Sequence, residues 1–196
     1  MAFRLGSVRL PWRRSGSDTD PYWDAFINRP PADVRNTIPE IIGKAPEGNV
    51  FPTRAELHTP AVTSGHVKEF GLYLDAQRVG IADLSRQAPE LAHGYPFAVV
   101  CAVRAAYDPY AAAGVGGQAA VQVGQFVTFI VACWIRELGY RATMKLEVPR
   151  EQRERLAVAA GLGTLNGHGR LTVPKHGTKI HVADVIFTDL PLVADG

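Results

Sequence analysis

The sequence predicts an α+β fold, a layered domain with a mixed sheet and a buried central helix. Three observations point there. From about Gln118 to Leu138, Val123, Val127, Ile130, Val131, Trp134 and Leu138 keep helical spacing, and Phe126, Phe129 and Cys133 cover a second face. Pro96–Val103 is an unbroken, valine-rich apolar run of strand length, the pattern of a strand buried on both faces. Helices and strands alternate without a strict βαβ rhythm, which favours a layered α+β arrangement over a doubly wound one. With 196 residues there is room for one sizeable domain and not comfortably for two.

The leader through about Asp20 shows no periodicity and predicts little order. Residues 1–59 read as a Pro-rich N-terminal arm wrapping the core. Pro21, Pro30, Pro31, Pro39, Pro46 and Pro52 argue against long helices and central strands, while Trp23, Phe26, Ile38, Ile41, Ile42 and Phe51 supply apolar contacts. Residues 60–196 form the domain proper. Thr63 or Ser64 caps a helix carrying Val67, Phe70, Leu72 and Leu74 up to about Ala76, and Arg78–Ala82 is a short strand. After Pro96–Val103, residues 105–117 form a Gly/Ala/Tyr/Pro loop, then comes the long helix, stopped by Gly139. Arg141–Val148 alternates as a strand does. Pro149 opens a helix through Ala160 with Glu151 and Glu154 in its first turns, where negative charge suits the helix dipole. A glycine-rich turn and a last strand, Lys179–Phe187, complete the pattern.

Composition excludes several function classes. The 21 Lys and Arg against 19 Asp and Glu leave a formal charge of +2, no electrostatic footprint for nucleic acid or an anionic membrane. Cys101 and Cys133 are the only cysteines, which excludes a disulfide framework, a four-cysteine zinc site and an all-cysteine iron–sulfur cluster. Arg13–Arg14 is followed by Ser15–Asp20 rather than by the apolar stretch an export signal needs. The most apolar window, Val121–Trp134, is shorter than the roughly 18–20 residues of a bilayer span. The expectation is a cytoplasmic protein with no membrane partner.

The richest stretch for a binding site is Ala160–Leu192, with five glycines between Gly161 and Gly177 beside Asn166, His168 and His176. Such glycine density lets backbone approach a bulky ligand closely, or simply makes a tight corner. It is neither a phosphate loop, lacking Gly-Lys-Ser/Thr, nor a dinucleotide fingerprint, because Gly161–Leu162–Gly163 follows a helix. His168, His176 and His181 read as hydrogen-bonding histidines, although a neutral imidazole can also ligate a metal. His58, His66 and His93 are too scattered for a zinc site.

The run AGLGTLNGHGRLTVPKHG…HVADVIFTDLPL resembles the closing segment of the corrinoid-binding domain of reductive dehalogenases and the related epoxyqueuosine reductases. Val67–Phe70 with Val79–Ala82, and Trp134–Ala142 with its Leu138–Gly139–Tyr140 corner, are similar to upstream pieces of that family in the same order. The resemblance implies a nitroreductase-like fold cradling a cobalamin. Carried over, Gly161, Leu162, Gly163, Asn166, Gly167, His168, Gly169, Arg170 and Leu171 are the cofactor-lining positions. Thr188–Asp189 reads as a cap on the last strand.

Three departures from the family pattern shape the expected function. No cysteine follows Cys133, so a ferredoxin-like iron–sulfur portion is missing from this sequence and electrons would come from another protein. The family's tyrosine proton donor maps near Val121, where Ala119–Val123 offers no Tyr, Lys or carboxylate. Tyr107 and Tyr110, just upstream, are the substitutes if their loop folds over the ring. A polar Gly-Asn-Asp element is replaced by Lys145–Pro149. The leading expectation is therefore a stand-alone cobalamin-binding domain, the cofactor-carrying part of a reductase, with no metal ligand of its own. A homodimer would cover apolar surface left open by the missing half. The alternatives are a flavin-dependent nitroreductase-like oxidoreductase, with Arg136, Arg141 and Arg170 toward the flavin phosphate, and a non-catalytic cobalamin carrier or scaffold.

Overall fold

The valine-rich run forms the middle of the sheet in the computed structural model, which describes residues 21–29, 38–112 and 114–196. The expected leader through Asp20 and the Pro30–Pro31 pair lie outside the described residues. In chain order, the first half contains α1 (Pro21–Ile27), α2 (Ile38–Lys44), α3 (Pro60–Tyr73), β1 (Arg78–Asp83), α4 (Leu84–Gln87) and β2 (Phe97–Arg104). The second half contains α5 (Val115–Glu137), β3 (Ala142–Thr143), α6 (Arg150–Ala159), β4 (Thr164–Leu165), β5 (Leu171–Thr172), β6 (Ile180–Val182) and β7 (Ile186–Thr188).

The main sheet has β1 on one side of β2, β6 and β7 on the other, and β3 outside β7. Every pairing is antiparallel, so the expected mixed sheet is corrected. The physical reason is insertion. β2 and β3 run the same way across the α5 crossover, but β7 lies between them, so the two never pair. The α+β class stands.

Both faces of β2 are covered. Val99, Cys101 and Val103 face a core shared with Val127, Val131 and Ile135 of α5 and Val67 of α3. Ala98, Val100 and Ala102 face the opposite core, with Leu156 and Ala157 of α6, Leu162 and Phe187. This double burial explains the continuous apolar run. α5 begins three residues before the expected Gln118, at Val115, and buries Gly124, Val127, Thr128, Val131, Ala132 and Ile135. Its other side is open, with Val123 38% and Phe126 43% exposed, so it is central but not buried all round. By length and mean hydropathy (1.5 over eighteen residues) α5 matches a membrane-crossing helix, yet it packs on α2, α3, β2, β3, β6 and β7.

Three further boundaries differ from the sequence reading. α3 starts at Pro60, preorganised for the first helical position, and Thr59 caps it by accepting from the Val62 N–H at 3.4 Å. Thr63 and Ser64, the expected caps, are buried inside it. The expected strand Arg141–Val148 shrinks to Ala142–Thr143 because β7, its partner, is three residues long. Beyond it, Met144–Val148 keeps its exposure alternation without a ladder.

The expected last strand, Lys179–Phe187, is one strand with a bulge. Ile180–Val182 pairs with Ala102–Arg104, and Ile186–Thr188 with Phe97–Val99. Between these ladders Ala183, Asp184 and Val185 stand opposite only Val100 and Cys101, so one residue is extra. Bulges of this kind re-aim side chains. Ala183 and Val185 stay buried, and Asp184 is turned out toward the edge of the cleft described below.

Candidate functional site

The bulge places Asp184 at the junction of two adjoining clefts. One, of about 360 Å³, runs between α2 and α5 and is lined by Ile42, Gln125, Phe129, Arg136, Met144 and Asp184 among others. The second, about 410 Å³, lies against Met144–Pro149 and Arg153. Asp184 accepts from Arg153 Nη1 at 2.8 Å and from the Gln125 amide. Burial raises its pKa above the ordinary carboxylate value, against the lowering pull of Arg153.

His181, on β6, is 6% exposed and stands one residue beyond the paired edge of the bulge. Burial, helped by Arg153 and Arg150, lowers its pKa to about 4, so the imidazole is neutral at neutral pH. Its ring lies 6.2 Å from that of Tyr110. Arg150 stacks over the Tyr110 ring at 3.9 Å, and Arg153 Nη2 donates to the Tyr110 hydroxyl at 3.5 Å. Tyr110 therefore belongs to this polar face. Tyr107 does not, since it donates to Asp24 of α1 at 2.5 Å and packs against Gly116.

The nine carried-over positions divide into two groups. Gly161 caps α6 with φ +69°, and its neighbour Leu162, 2% exposed, enters the core. A Cβ on Gly163 would lie 2.2 Å from the Thr172 carbonyl oxygen, and one on Gly80 would lie 2.1 Å from that of Ala160. Leu171 is also 2% exposed, and its N–H donates at 2.7 Å to Glu154, a buried carboxylate that thereby ties α6 to the hairpin. These four positions build the corner and present no side chain to an opening.

Asn166, Gly167, His168, Gly169 and Arg170 form the tip of the β4–β5 hairpin. The Asn166 side-chain oxygen accepts from the N–H groups of His168 (2.9 Å) and Arg170 (3.1 Å), holding the turn from within. Nothing lies within 4 Å of a Cβ placed on Gly167 or Gly169. Arg170 donates to Asp108 at 2.5 Å, which draws the tip against the loop carrying Tyr110. A third cleft, about 370 Å³, opens there between Asp108, Arg150, Glu151, His168 and Arg170.

Three buried polar atoms along this face have no hydrogen-bond partner among the described residues: Nε of Arg153, Nε of Arg170 and Oε1 of Gln125. Buried polar groups are normally paired, so these three atoms stand out on this face. The three arginines weighed for a flavin phosphate do not converge. Arg136 is bound to the Ala142 carbonyl, Arg141 to Asp189, and Arg170 to Asp108. No three His, Cys, Asp or Glu residues come together as a metal site among the described residues. Thr188 and Asp189 hold the Arg141 corner, through Thr188 Oγ1 to the Arg141 carbonyl at 2.8 Å and the Asp189 carboxylate to Arg141 Nε at 2.9 Å.

No family model and no curated protein matches the chain. Solved structures do. A reductive dehalogenase described as suggesting a mechanism for B12-dependent dehalogenation superposes with a TM-score of 0.64 at 24% identity over 85% of this chain. The catabolic reductive dehalogenase NpRdhA does so at 0.62, with 20% identity over 81% of the chain. Its complex with 3-bromo-4-hydroxybenzoic acid gives 0.63 at 20% identity. The shared feature is the fold. The chain spans 26% of the length of each of these proteins.

Asp108, Gln125, Arg150, Arg153 and Asp184 escaped the sequence reading. Only Asp184 left a signal, as the lone charge in the apolar run Val182–Phe187. The others sit on three separate segments that only the fold brings together.

Proposed function

We propose that this chain is a corrinoid-binding, dehalogenase-like domain that holds cobalamin on the face between the hairpin tip, the Tyr110 loop and the Asp184 bulge. The observation that carries the reading is the set of unpaired buried atoms on that face, in a fold shared with B12-dependent dehalogenases. The residues present fit the group. A corrinoid is a broad ring rimmed by amide arms, each with a carbonyl acceptor and an N–H donor. The Nε groups of Arg153 and Arg170 are donors, and Oε1 of Gln125 is an acceptor. The open tip at Gly167 and Gly169 admits close approach of backbone to a bulky ligand. Cobalamin, if bound, would supply a cobalt centre able to change oxidation state.

The rest is done by this chain. Asn166 and Asp108 position the tip, Arg153 is oriented by Asp184, and neutral His181 with Tyr110 forms the inner wall. Tyr110, with its hydroxyl beside Arg153, is a residue of this face with a transferable proton. The proposed setting is cytoplasmic and nitroreductase-like, with residues 60–196 as the cofactor domain, 1–59 as its arm and a separate protein as electron donor.

The test is reconstitution of the full chain with hydroxocobalamin, desalting and visible spectroscopy. Retention of one corrinoid per chain with a shifted spectrum supports the reading. A folded protein that emerges colourless overturns it.

A further inference from the structure

The cleft between α2 and α5 lies outside all nine cofactor-lining positions and contains an unusual charge. Arg136 is 5% exposed, and its guanidinium donates only to neutral acceptors, the Ala142 carbonyl at 2.8 Å and Cys133 Sγ at 3.2 Å. No carboxylate lies within ion-pair distance of it among the described residues. Buried charges are ordinarily paired. The carbonyl end of α5 compensates only part of a unit charge. Of the acids lining the cleft, Asp184 is taken by Arg153 and Gln125, and Glu47 and Glu147 are exposed.

The rest of the cleft defines what shape of anion it takes. Gln125, Phe129 and Arg136 lie on one stripe of α5, and the ends of that stripe are three turns apart, roughly 16 Å along the axis. Ile42 of α2 and Met144 face the same space. One end therefore carries a buried cation, the middle is apolar, and the far end closes on the Gln125–Asp184 pair.

We infer that this cleft binds a small, elongated organic anion. Its carboxylate sits on Arg136 and its apolar body runs along Phe129, Ile42 and Met144 toward Gln125. Inorganic phosphate does not suit it: Arg136 is the buried cation, the lysine on the lining, Lys145, is exposed and donates to the Ala45 carbonyl, and no nest of N–H donors faces the space among the described residues. The inference rests on Arg136, which has no part in the corrinoid reading; Gln125 and Asp184 border both sites, and the test is made without cobalamin.

Isothermal titration calorimetry of the cobalamin-free full chain with butanoate, hexanoate and octanoate should show affinity rising several-fold along the series. Hexanamide, which keeps the shape and loses the charge, should bind at least about tenfold more weakly than hexanoate. Gly43 lines the cleft, and a Cβ there meets no atom within 4 Å, so Gly43→Leu should fill the opening without disturbing the fold. It should abolish hexanoate binding and leave the melting temperature unchanged. Arg136→Gln retains a donor for the Ala142 carbonyl and should reduce hexanoate to the level of the amide. If Arg136→Gln fails to fold, Gly43→Leu decides. Absence of heat with all three acids overturns the inference. So does equal binding of hexanoate and hexanamide, phosphate binding as tight as hexanoate, or unchanged affinity in Gly43→Leu.

Discussion

Gly161 and Gly163 at the corner, and Gly167 and Gly169 at the hairpin tip, belong to one short glycine-rich segment, yet they answer to different demands. The corner pair is required by packing, through a left-handed φ at Gly161 and a backbone contact at Gly163 that leaves no room for a Cβ. The tip pair borders open space, although Gly169 shares the left-handed φ, at +70°, that the tight turn requires. Glycine count alone does not separate a folding device from a binding surface, because both uses need a backbone without side chains. The distinction is made by what lies opposite: Thr172 and the core at one place, solvent and a cleft at the other.

The sharpest way to break this comparison is Gly163→Val. Its Cβ would lie 2.2 Å from the Thr172 carbonyl, and relief requires moving β5 away from the core. We expect a loss of about 3 kcal/mol or more in urea denaturation, or no folded protein. A loss as small as that of a surface change would mean that the corner is not built as described.

His181, on the bulged strand, gives the next largest effect. Its folded pKa, about 4, lies below the ordinary 6.5. Above 6.5 both states are neutral and nothing is lost. As pH falls below 6.5 the unfolded chain takes up a proton that the folded chain refuses until about 4, so stability drops across that window. The drop should approach about 3 kcal/mol. Urea melts at pH 7 and pH 4 should show it in the native chain and show much less of it in His181→Gln. Parallel pH dependence in the two would place the imidazole in water.

Much of the fold was legible because burial leaves a periodic trace. The helical stripe of α5, the apolar run of β2 and the Pro149 start of α6 each came from residues whose local pattern and tertiary fate agree. The failures have a common cause in pairing. Arg141–Val148 alternates as a strand should, but a strand also needs a partner, and β7 is too short to provide one. The antiparallel order depends on β7 inserting between β2 and β3, which no local pattern records. Of the proposed face, the sequence marked only the hairpin tip and Tyr110 as site residues. Gln125, Arg153 and Asp184 meet through a helix, another helix and a bulge far apart in sequence, and each alone reads as an ordinary polar residue.

A smaller effect is expected at the bulge. The Asp184 pKa is raised, so the folded chain holds its proton more tightly than the unfolded one. The stability this provides is present below the ordinary carboxylate value of 3.8 and is lost as pH rises through the folded value. Asp184→Asn should therefore cost no more than about 1 kcal/mol at pH 7 despite removing the Arg153 pair. Its cost should shrink further as pH rises from 4 to 7 in thermal melts. A penalty that grows over that range would show that the ion pair outweighs burial.

The smallest stability change should come from Gly167→Val, where a Cβ meets nothing within 4 Å and no left-handed φ is involved. Denaturation should differ from the native chain by no more than about 0.5 kcal/mol. The informative readout is instead ligand retention. If the tip is a binding surface, branching at Gly167 blocks the close backbone approach that glycine permits, and hydroxocobalamin should wash out on desalting from a protein as stable as the native one. Asn166→Ala offers the matching control, because it loosens the turn by removing the acceptor for the His168 and Arg170 N–H groups while adding no bulk. Weakened retention in both variants would mean that the tip binds through its shape. Loss in Gly167→Val alone would mean that it binds through its open space, and full retention in both would move the corrinoid away from the hairpin.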